Sequence, residues 1–394
     1  MIEIEYWQYS FIPKKNTIDE LINMFESANR GIKVKHHTPS HVAFTKEVKA
    51  ALSEGKGPDI VNLYDGWFSE YVKMGYLIPL PREEFPHQAL EEEFFPFIGS
   101  AKFHGEYYGL PTAVRTLALF WNREIFQKSE LDPEVPPKTW DEFVSAAVAT
   151  ASRDESGNLI TAGYGFSTGG QDHHWFRECL LRQNNAPTMS EDRRRVLWNT
   201  MPEGYETWEW YLDLIRKHRV SQLDFPPGRH AFESGKAAMV VDGSYEVGNL
   251  KRRPVIQALA IAPLPMKKSR ATFASYWAHG LTPQAEGERK EAAMQFLKFL
   301  TSPEVMKIWA DKVGELPARR NVAELQEFAR DPLLGPFIEQ LPYAFTTFFV
   351  DEGATRQAIV DAANAVLKEG REAKAALDEA VSKVNDLLDH YWAI

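Results

Sequence analysis

Strand and helix patterns alternate through the first hundred residues, and this order constrains the fold more than any other feature of the sequence. Ile2–Trp7 alternates apolar and polar residues as a half-buried strand does, and Ile32–Val34 and Ile60–Leu63 are further strand patterns. Apolar residues at helical spacing fill the intervals, and Thr17–Glu20 has the pattern of a capping box that opens the first helix. The order predicts the α/β class, with a mainly parallel sheet covered by helices.

The rest of the chain continues with both kinds of element. Val114–Trp121 and Ala237–Val241 have strand patterns, and Thr139–Glu142 is a second capping box. Ser302 precedes a proline where the next helix is predicted to begin. A chain of 394 residues is too long for one ordinary core, so we expect at least two domains.

The composition excludes several classes of protein. A net charge of −10 disfavours nucleic-acid binding, which needs a basic face. No apolar run reaches the length of about eighteen residues that a membrane-spanning helix needs. The single cysteine, Cys179, rules out a disulfide framework within the chain. The 11 tryptophans point towards sugar binding, because an aromatic ring can stack on the apolar face of a sugar ring.

The sequence contains no motif of a known catalytic or cofactor site. It has no Gly-x-Ser-x-Gly elbow, no phosphate-binding P-loop and no dinucleotide fingerprint. The pairs His36-His37 and His173-His174 have no second cluster at ligand spacing, so we predict no metal site. We therefore expect a binding protein that has no catalytic residues and no cofactor.

Met1 leads directly into the first strand pattern, without a signal segment. Two interpretations stay open at this point. The protein is cytosolic, or the sequence begins at the mature start of an exported protein.

Eight short motifs follow one another in a fixed order along nearly the whole chain. They are Tyr6-Trp7-Gln8, Gly55–Ile60, Tyr71–Leu80, His104–Pro111, Phe120–Phe126, Pro136–Phe143, Phe232–Met239 and Gly314–Arg319. In this order and spacing they resemble the extracellular solute-binding proteins of carbohydrate ABC importers, the maltose-binding-like family.

The resemblance implies a periplasmic-binding-protein-like fold, in which two α/β lobes are joined by hinge strands around a central cleft. The N-terminal lobe would comprise residues 1–112 plus 279–325. The C-terminal lobe would comprise residues 113–278 plus 326–394. Closure of such lobes around a ligand is a hinge motion.

Candidate ligand-binding residues of the first lobe follow the carboxyl ends of its strands, where ligands bind in sheets of this kind. They are Trp7, Gln8 and Tyr9 after the first strand, Ser40 after the second, and Asp65 and Trp67 after the third. Arg115 would lie on the first hinge crossing, where it either contacts the ligand or forms a salt bridge with Asp65 or a neighbouring glutamate. Trp7 could equally close the core end of its strand.

The remaining candidates are taken over from the resemblance. Trp175 resembles the stacking aromatic residue of the family, and Gly243 with Tyr245 follows a strand at a place where the family carries an aromatic residue. Tyr276 and Trp277 would lie on the second hinge crossing, and Phe348 in the last segment of the C-terminal lobe. Burial in the core is the competing interpretation for Phe348.

Three functions compete. The first is a receptor that captures a mono- or oligosaccharide and delivers it to the membrane permease of an ABC importer, without chemical change. The second is the same fold binding an anionic solute, a sugar phosphate, sulfonate or uronate, through Arg115. The third is a carbohydrate-active enzyme. The resemblance favours the first, with a monomeric protein that is periplasmic or extracellular and either free or lipid-anchored.

Overall fold

The computed structural model describes residues 1–393, so Ile394, the last residue of the predicted C-terminal lobe, lies outside the described residues. The chain folds into two compact units, each made of discontinuous segments. The first unit comprises Met1–Arg115, Ala274–Phe328 and Thr346–Phe349, and the second comprises Thr116–Phe273, Ala329–Phe345 and Val350 onwards.

The strands predicted from the sequence patterns are all present, together with others that the patterns did not indicate. In chain order they are β1 (Ile2–Trp7), β2 (Ile32–His37), β3 (Ile60–Tyr64), β4 (Lys102–Phe103), β5 (Glu106–Tyr107), β6 (Leu110–Asn122), β7 (Ser152–Arg153), β8 (Leu159–Tyr164), β9 (Ala237–Gly243), β10 (Leu259–Ala262), β11 (Thr272–Leu281), β12 (Leu316–Pro317) and β13 (Ala344–Phe345).

Helices surround these strands, and short 3-10 turns at Asp65–Trp67 and Ser244–Glu246 follow β3 and β9. The α-helices are α1 (Ile12–Ala28), α2 (His41–Ser53), α3 (Phe68–Lys73), α4 (His87–Glu93), α5 (Arg123–Lys128), α6 (Trp140–Thr150), α7 (Gln171–Gln183), α8 (Pro202–Arg216), α9 (Gly228–Glu233), α10 (Val247–Leu250), α11 (Gly287–Leu300), α12 (Pro303–Val313), α13 (Arg320–Ala323), α14 (Gln326–Ala329), α15 (Gly335–Ile338), α16 (Glu352–Glu369) and α17 (Ala373–Ala393).

The sheet of the first unit has β1 between β2 and β3, and all three strands run parallel. The second half of β11 adds to β3 in the antiparallel direction, with Trp277 opposite Tyr64 and Leu281 opposite Ile60. Because β1, β2 and β3 are parallel, their carboxyl ends meet at one edge, where Ser10 forms a bridge with Ser40. The predicted α/β class and the parallel pairing are confirmed.

The second unit is built around β9. Its neighbours are β8, which runs parallel to it, and the second half of β6, which runs antiparallel. The other edge of β6 pairs with β10. Residues of β6 and β11 belong to both units, since the chain passes from one unit to the other within these two strands.

Local capping signals are correct at some helices and wrong at another. The predicted capping box is present at α6, where the Thr139 hydroxyl accepts from the backbone N–H of Glu142 at 3.2 Å. Ser302 caps α12 as expected. Helix α1, however, begins at Ile12, because the Phe11 carbonyl already accepts from the backbone N–H of Lys15 at 2.9 Å. Thr17 therefore lies inside the helix and is not its N-cap.

The buried side chain of His279, on β11, connects β1, β3 and β6 through hydrogen bonds. The Thr112 hydroxyl on β6 donates to the Leu300 carbonyl at 2.6 Å, so it accepts from Nε2 of His279 at 2.9 Å. The His279 Nδ1 atom is then an acceptor for Asn62 on β3 at 3.3 Å, and it lies 3.2 Å from the Tyr6 hydroxyl on β1. Burial lowers the pKa of His279 to about 3, so the ring is neutral.

We predict that His279→Leu destabilises the first unit, since the substitution leaves buried polar partners of the ring unsatisfied, at a cost of about 1–3 kcal/mol for each group. Urea unfolding of the wild-type protein and the variant measures the change. His390→Leu, at an exposed position of α17, is the control. If the free energy of unfolding falls no more in His279→Leu than in the control, the hydrogen-bond network contributes nothing to stability.

Candidate functional site

The aromatic platform, which we define as Tyr9, Trp67 and Trp277, lies at the edge where β1 and β3 end. The Trp277 ring lies 4.2 Å from the Tyr9 ring and 5.4 Å from the Trp67 ring, centroid to centroid, and it meets Trp67 edge to face at 83°. Trp67 and Trp277 are half-buried, whereas Tyr9 is buried behind them. The platform therefore presents two indole groups to solvent on a buried tyrosine.

The sheet pairing explains how residues so distant in sequence come together. The antiparallel register of β11 places Trp277 opposite Tyr64, the last residue of β3, and Trp67 closes the 3-10 turn that follows. Side chains alternate along a strand, so Tyr276 points to the other face. There Tyr276 is 1% exposed, bonded to the Ser100 hydroxyl and packed on Phe97, so the platform does not include it.

The turn after β3 is held by a glycine and a carboxylate. A Cβ atom on Gly66 would lie 2.4 Å from the Tyr64 ring, so no larger residue fits without moving that ring. Asp65 is 8% exposed, and its Oδ1 atom accepts from the backbone N–H of Tyr276 at 3.1 Å. Asp65 was expected to bind ligand hydroxyl groups, and in this structure its carboxylate connects the turn to β11. Its role in ligand binding stays a prediction.

A buried ion cluster, which we call the Glu315 cluster, supports the platform from behind. The Glu315 Oε1 atom lies 2.6 Å from Nε of Arg115 and 3.0 Å from Nζ of Lys14, and its Oε2 accepts from the Trp309 indole at 2.9 Å. Arg115 also hydrogen-bonds the Tyr9 side chain, and Lys14 Nζ lies 5.7 Å from the centre of the Tyr9 ring. The cluster thereby fixes the tyrosine on which Trp277 rests.

The charged groups of the Glu315 cluster shift one another's pKa values. Burial opposes ionisation of Glu315, but Arg115 and Lys14 outweigh it and lower the pKa of its carboxyl to about 2. Burial lowers the pKa of Lys14 to about 8, with a further contribution from Arg115 that Glu315 offsets in part. The pKa of Arg115 is raised, since Glu315 outweighs its burial.

The other predicted residues of the first unit lie outside the platform. The Trp7 ring packs on His37 at 4.4 Å, and its indole donates to Glu5 at 3.1 Å. The Ser40 hydroxyl is the N-cap of α2. Gln8 is 2% exposed and lines a small cavity together with Trp277. Phe348, which was expected in the C-terminal lobe, is half-buried in the segment that packs with the first unit.

In the second unit, Tyr245 occupies a turn like that of Trp67. Each aromatic residue belongs to a 3-10 turn that connects the end of a strand, β3 or β9, to a short helix. A Cβ atom on Gly243 would lie 2.1 Å from the Tyr245 ring, so this turn also requires glycine. The half-buried Tyr245 hydroxyl donates to the Asp172 carboxylate.

Three carboxylates surround one arginine beside Tyr245, and we call this group the Arg229 cluster. Arg229 makes a bidentate pair with Asp242, at 2.6 Å for each oxygen, and reaches Glu246 at 2.7 Å and Asp172 at 3.0 Å. Burial raises the pKa of Asp242, and Asp172 raises it further. The cluster carries more acid than base and holds Asp172 and Tyr245 in fixed positions.

Trp175 lies on α7 and is 3% exposed, so in this structure it is a core residue. Its ring stacks on Phe273 at 4.9 Å with an interplanar angle of 8°. The indole nitrogen is buried and has no hydrogen-bond partner. Its predicted role in stacking on a ligand stays a prediction.

Lys14, Glu315 and Trp309 in the first unit and Arg229 and Asp242 in the second were not predicted. Glu315 is 200 positions from Arg115, and no local pattern marks the pairing. Asp172 lies in the first turn of α7, three residues before Trp175, but nothing in the sequence sets it apart from other acidic residues.

Neither a metal site nor a membrane-spanning helix is found in the part of the chain that the structure describes. Within residues 1–393, no three His, Cys, Asp or Glu side chains lie where they could share a metal ion. Across the same residues, no helix has both the length and the apolar composition for crossing a bilayer.

Comparison with known proteins identifies the family to which the chain is similar. The family model described as bacterial extracellular solute-binding protein matches residues 20–336. A maltotriose-binding protein of Pyrococcus abyssi is 25% identical over 308 residues, which cover 76% of this chain and 63% of that protein. A maltooligosaccharide ABC transporter solute-binding lipoprotein of Streptococcus pneumoniae is 23% identical over 307 residues, covering 72% of this chain and 66% of that protein. The chain therefore spans slightly under two thirds of the length of both relatives.

Among solved structures, the fold is similar to that of a cyclic alpha-maltosyl-1,6-maltose binding protein from Arthrobacter globiformis. The TM-score is 0.87 at 22% identity, and the superposition covers 99% of each chain. The predicted periplasmic-binding-protein-like fold is thereby confirmed.

We predict that Glu315→Gln changes the pH dependence of stability. The carboxyl pKa is about 2 in the folded protein against an ordinary value of 4.5, so its contribution is full above pH 4.5 and is lost as the pH falls towards 2. The variant should be less stable at neutral pH and should lose less additional stability across that window. Urea midpoints between pH 7 and pH 2.5 measure both effects. The exposed Glu324→Gln is the control, and an identical pH profile for both variants would contradict the assigned cluster.

Proposed function

Because the chain belongs to the family of bacterial extracellular solute-binding proteins, we propose that it captures a carbohydrate and delivers it to an ABC importer. The family is one of binding proteins and not of enzymes. The names of its relatives, a maltotriose-binding protein and a maltooligosaccharide-binding lipoprotein, support a mono- or oligosaccharide as the ligand.

The observation that carries this proposal is the half-buried indole pair of the aromatic platform. A large aromatic surface is normally covered by the core, yet Trp67 and Trp277 present ring area at the sheet edge where ligands bind in α/β folds. Their edge-to-face geometry gives two surfaces at 83° to each other, which suits the C–H face of one sugar ring and the rim of the same or a neighbouring ring.

The second unit offers the complementary polar groups. Tyr245 provides a half-buried ring, and Asp172 and Arg229 beside it provide acceptors and donors for sugar hydroxyl groups. Hydrogen bonds to charged groups contribute about 1.5–3 kcal/mol each when water is excluded. A single site to which both units contribute, as the family resemblance implies, stays a prediction.

The anionic alternative does not rest on Arg115. Its Nε atom lies 2.6 Å from Glu315, and its hydrogen bond to Tyr9 gives it a structural role. An acidic group on the ligand would need other donors.

We also propose the partner and location that accompany this function. The receptor acts outside the cytoplasmic membrane, as a monomer, and presents its bound sugar to the permease subunits of the importer. Export or lipid anchoring, for which the relative in Streptococcus pneumoniae gives a precedent by name, would place it there.

We predict that Trp277→Ala and Trp67→Ala each weaken sugar binding about tenfold or more, a loss of about 1.4 kcal/mol, since each removes one wall of the platform. Isothermal titration with maltose, maltotriose, mannobiose and galactobiose identifies the ligand and measures the loss. Trp392→Ala, on α17, is the matched control. Unchanged affinity in both platform variants would mean that the ligand binds elsewhere.

A second prediction tests whether the two units share one ligand. Tyr245→Ala should weaken binding of the same sugar as Trp277→Ala does, with circular dichroism confirming that each variant is folded. Retention of full affinity in Tyr245→Ala alone would restrict the site to the first unit.

A further inference from the structure

A small cavity lies beside the aromatic platform in the first unit. Its volume is about 20 Å³, which is room for one water-sized group. Trp277 forms one wall, and the other walls include Gln8, Lys14, Arg115, His279 and Glu315. Trp277 belongs to both the platform and the cavity wall, so the cavity adjoins the surface on which we propose that a sugar stacks.

Gln8 brings an unused hydrogen-bond donor to this cavity. Its side chain is 2% exposed, and its Nε2 atom is buried without a hydrogen-bond partner. The Oε1 atom of the same amide accepts from the Tyr6 hydroxyl at 3.5 Å. A buried donor left unsatisfied costs about 1–3 kcal/mol, so an acceptor in the cavity would be stabilising.

Lys14 and Arg115 make the same cavity electropositive. Both cations lie against a single oxygen of Glu315, whose other oxygen is bonded to the Trp309 indole. Lys14 is 4% exposed, and an ammonium group carries three donors, of which the ion pair with Glu315 uses one. Burial has already lowered the pKa of Lys14 to about 8, and a negative charge nearby would favour its protonated form.

The cavity therefore joins an unpartnered amide donor, a buried ammonium group and room for one oxygen atom. We propose that it receives a carboxylate oxygen of the ligand, with Gln8 Nε2 and Lys14 Nζ as donors, so that the preferred ligands are acidic sugars of the uronate class. This inference rests on the proposed carbohydrate-binding function and narrows it. It assigns to Gln8 and Lys14 the role of anion recognition that the sequence suggested for Arg115.

Isothermal titration with matched pairs of sugars tests the proposal. Digalacturonate is compared with galactobiose, and glucuronate with glucose, since each pair differs in its carboxylate groups. We expect the acidic member of a pair to bind about tenfold tighter or more, which corresponds to about 1.4 kcal/mol. Lys14→Met and, separately, Gln8→Leu should reduce this preference towards unity, whereas Lys14→Arg should retain part of it.

The control is Lys15→Met, which removes the adjacent, half-exposed lysine that pairs with Asp19 on the surface of α1. It should leave the preference unchanged. Two independent variants keep the test informative if one of them does not fold, and thermal unfolding checks each protein before titration.

The other outcomes overturn the proposal in distinguishable ways. If neutral sugars bind as tightly as the uronates or tighter, the cavity holds only water and the inference fails, while the proposed function stands. Sodium formate could raise the melting temperature of the wild-type protein but not that of Lys14→Met, while uronates show no advantage over neutral sugars. The cavity would then bind a free anion and not the carboxylate of a sugar, and the inference would fail. If neither class of sugar binds, the proposed function fails as well.

Discussion

The shared carboxylate of Glu315 is the interaction on which the candidate site of the first unit depends. A buried carboxylate is costly unless it is paired and fully hydrogen-bonded, and here two cations and an indole satisfy both of its oxygens. Through Arg115 and Lys14 the same carboxylate fixes the Tyr9 ring, and through Tyr9 it fixes Trp277. Removing one partner from such a group is more damaging than replacing the whole group, because a buried charge remains.

The two units contain similar turns after β3 and β9, but different side chains surround the two turns. In each, a strand runs into a 3-10 turn, and a glycine allows an aromatic ring to pack against the turn. In the first unit the ring of Trp67 leans on another indole, and charge is kept in the interior. In the second unit the Tyr245 ring stands among acidic groups held by Arg229. The first unit therefore carries mainly aromatic surface at this turn, and the second mainly hydrogen-bonding groups.

Much of the fold could be predicted from sequence, because its signals are local. Strand periodicity located β1, β3 and β9, and the capping box at Thr139 located the start of α6. The parallel order predicted for β1 and β3 is correct, and it brings Tyr9 and Trp67 to the same edge of the sheet. The start of α1 was missed, since a backbone hydrogen bond from Lys15 to Phe11 begins the helix without a side-chain cap.

The site was predictable only in part, because its decisive contacts are long-range. Trp277 and Tyr276 are adjacent in sequence and looked equivalent, but the register of β11 against β3 leaves Trp277 half-buried and buries Tyr276 fully. Arg115 was expected to contact the ligand or to pair with Asp65 or a neighbouring glutamate, and its partner in the structure is Glu315, 200 positions away. Such pairings depend on how distant strands and helices meet, which local periodicity does not encode.

Saturation-transfer NMR shows whether sugar rings stack on the indole groups of the first unit, as we propose. Irradiation at aromatic proton frequencies, with maltotriose or galactobiose in excess, reports which sugar protons lie against aromatic rings. We expect stacking to give strong transfer to the C–H protons on one face of a sugar ring, and this transfer to be lost in Trp277→Ala. Absence of transfer to any neutral or acidic sugar, or transfer that persists unchanged in Trp277→Ala, would contradict it.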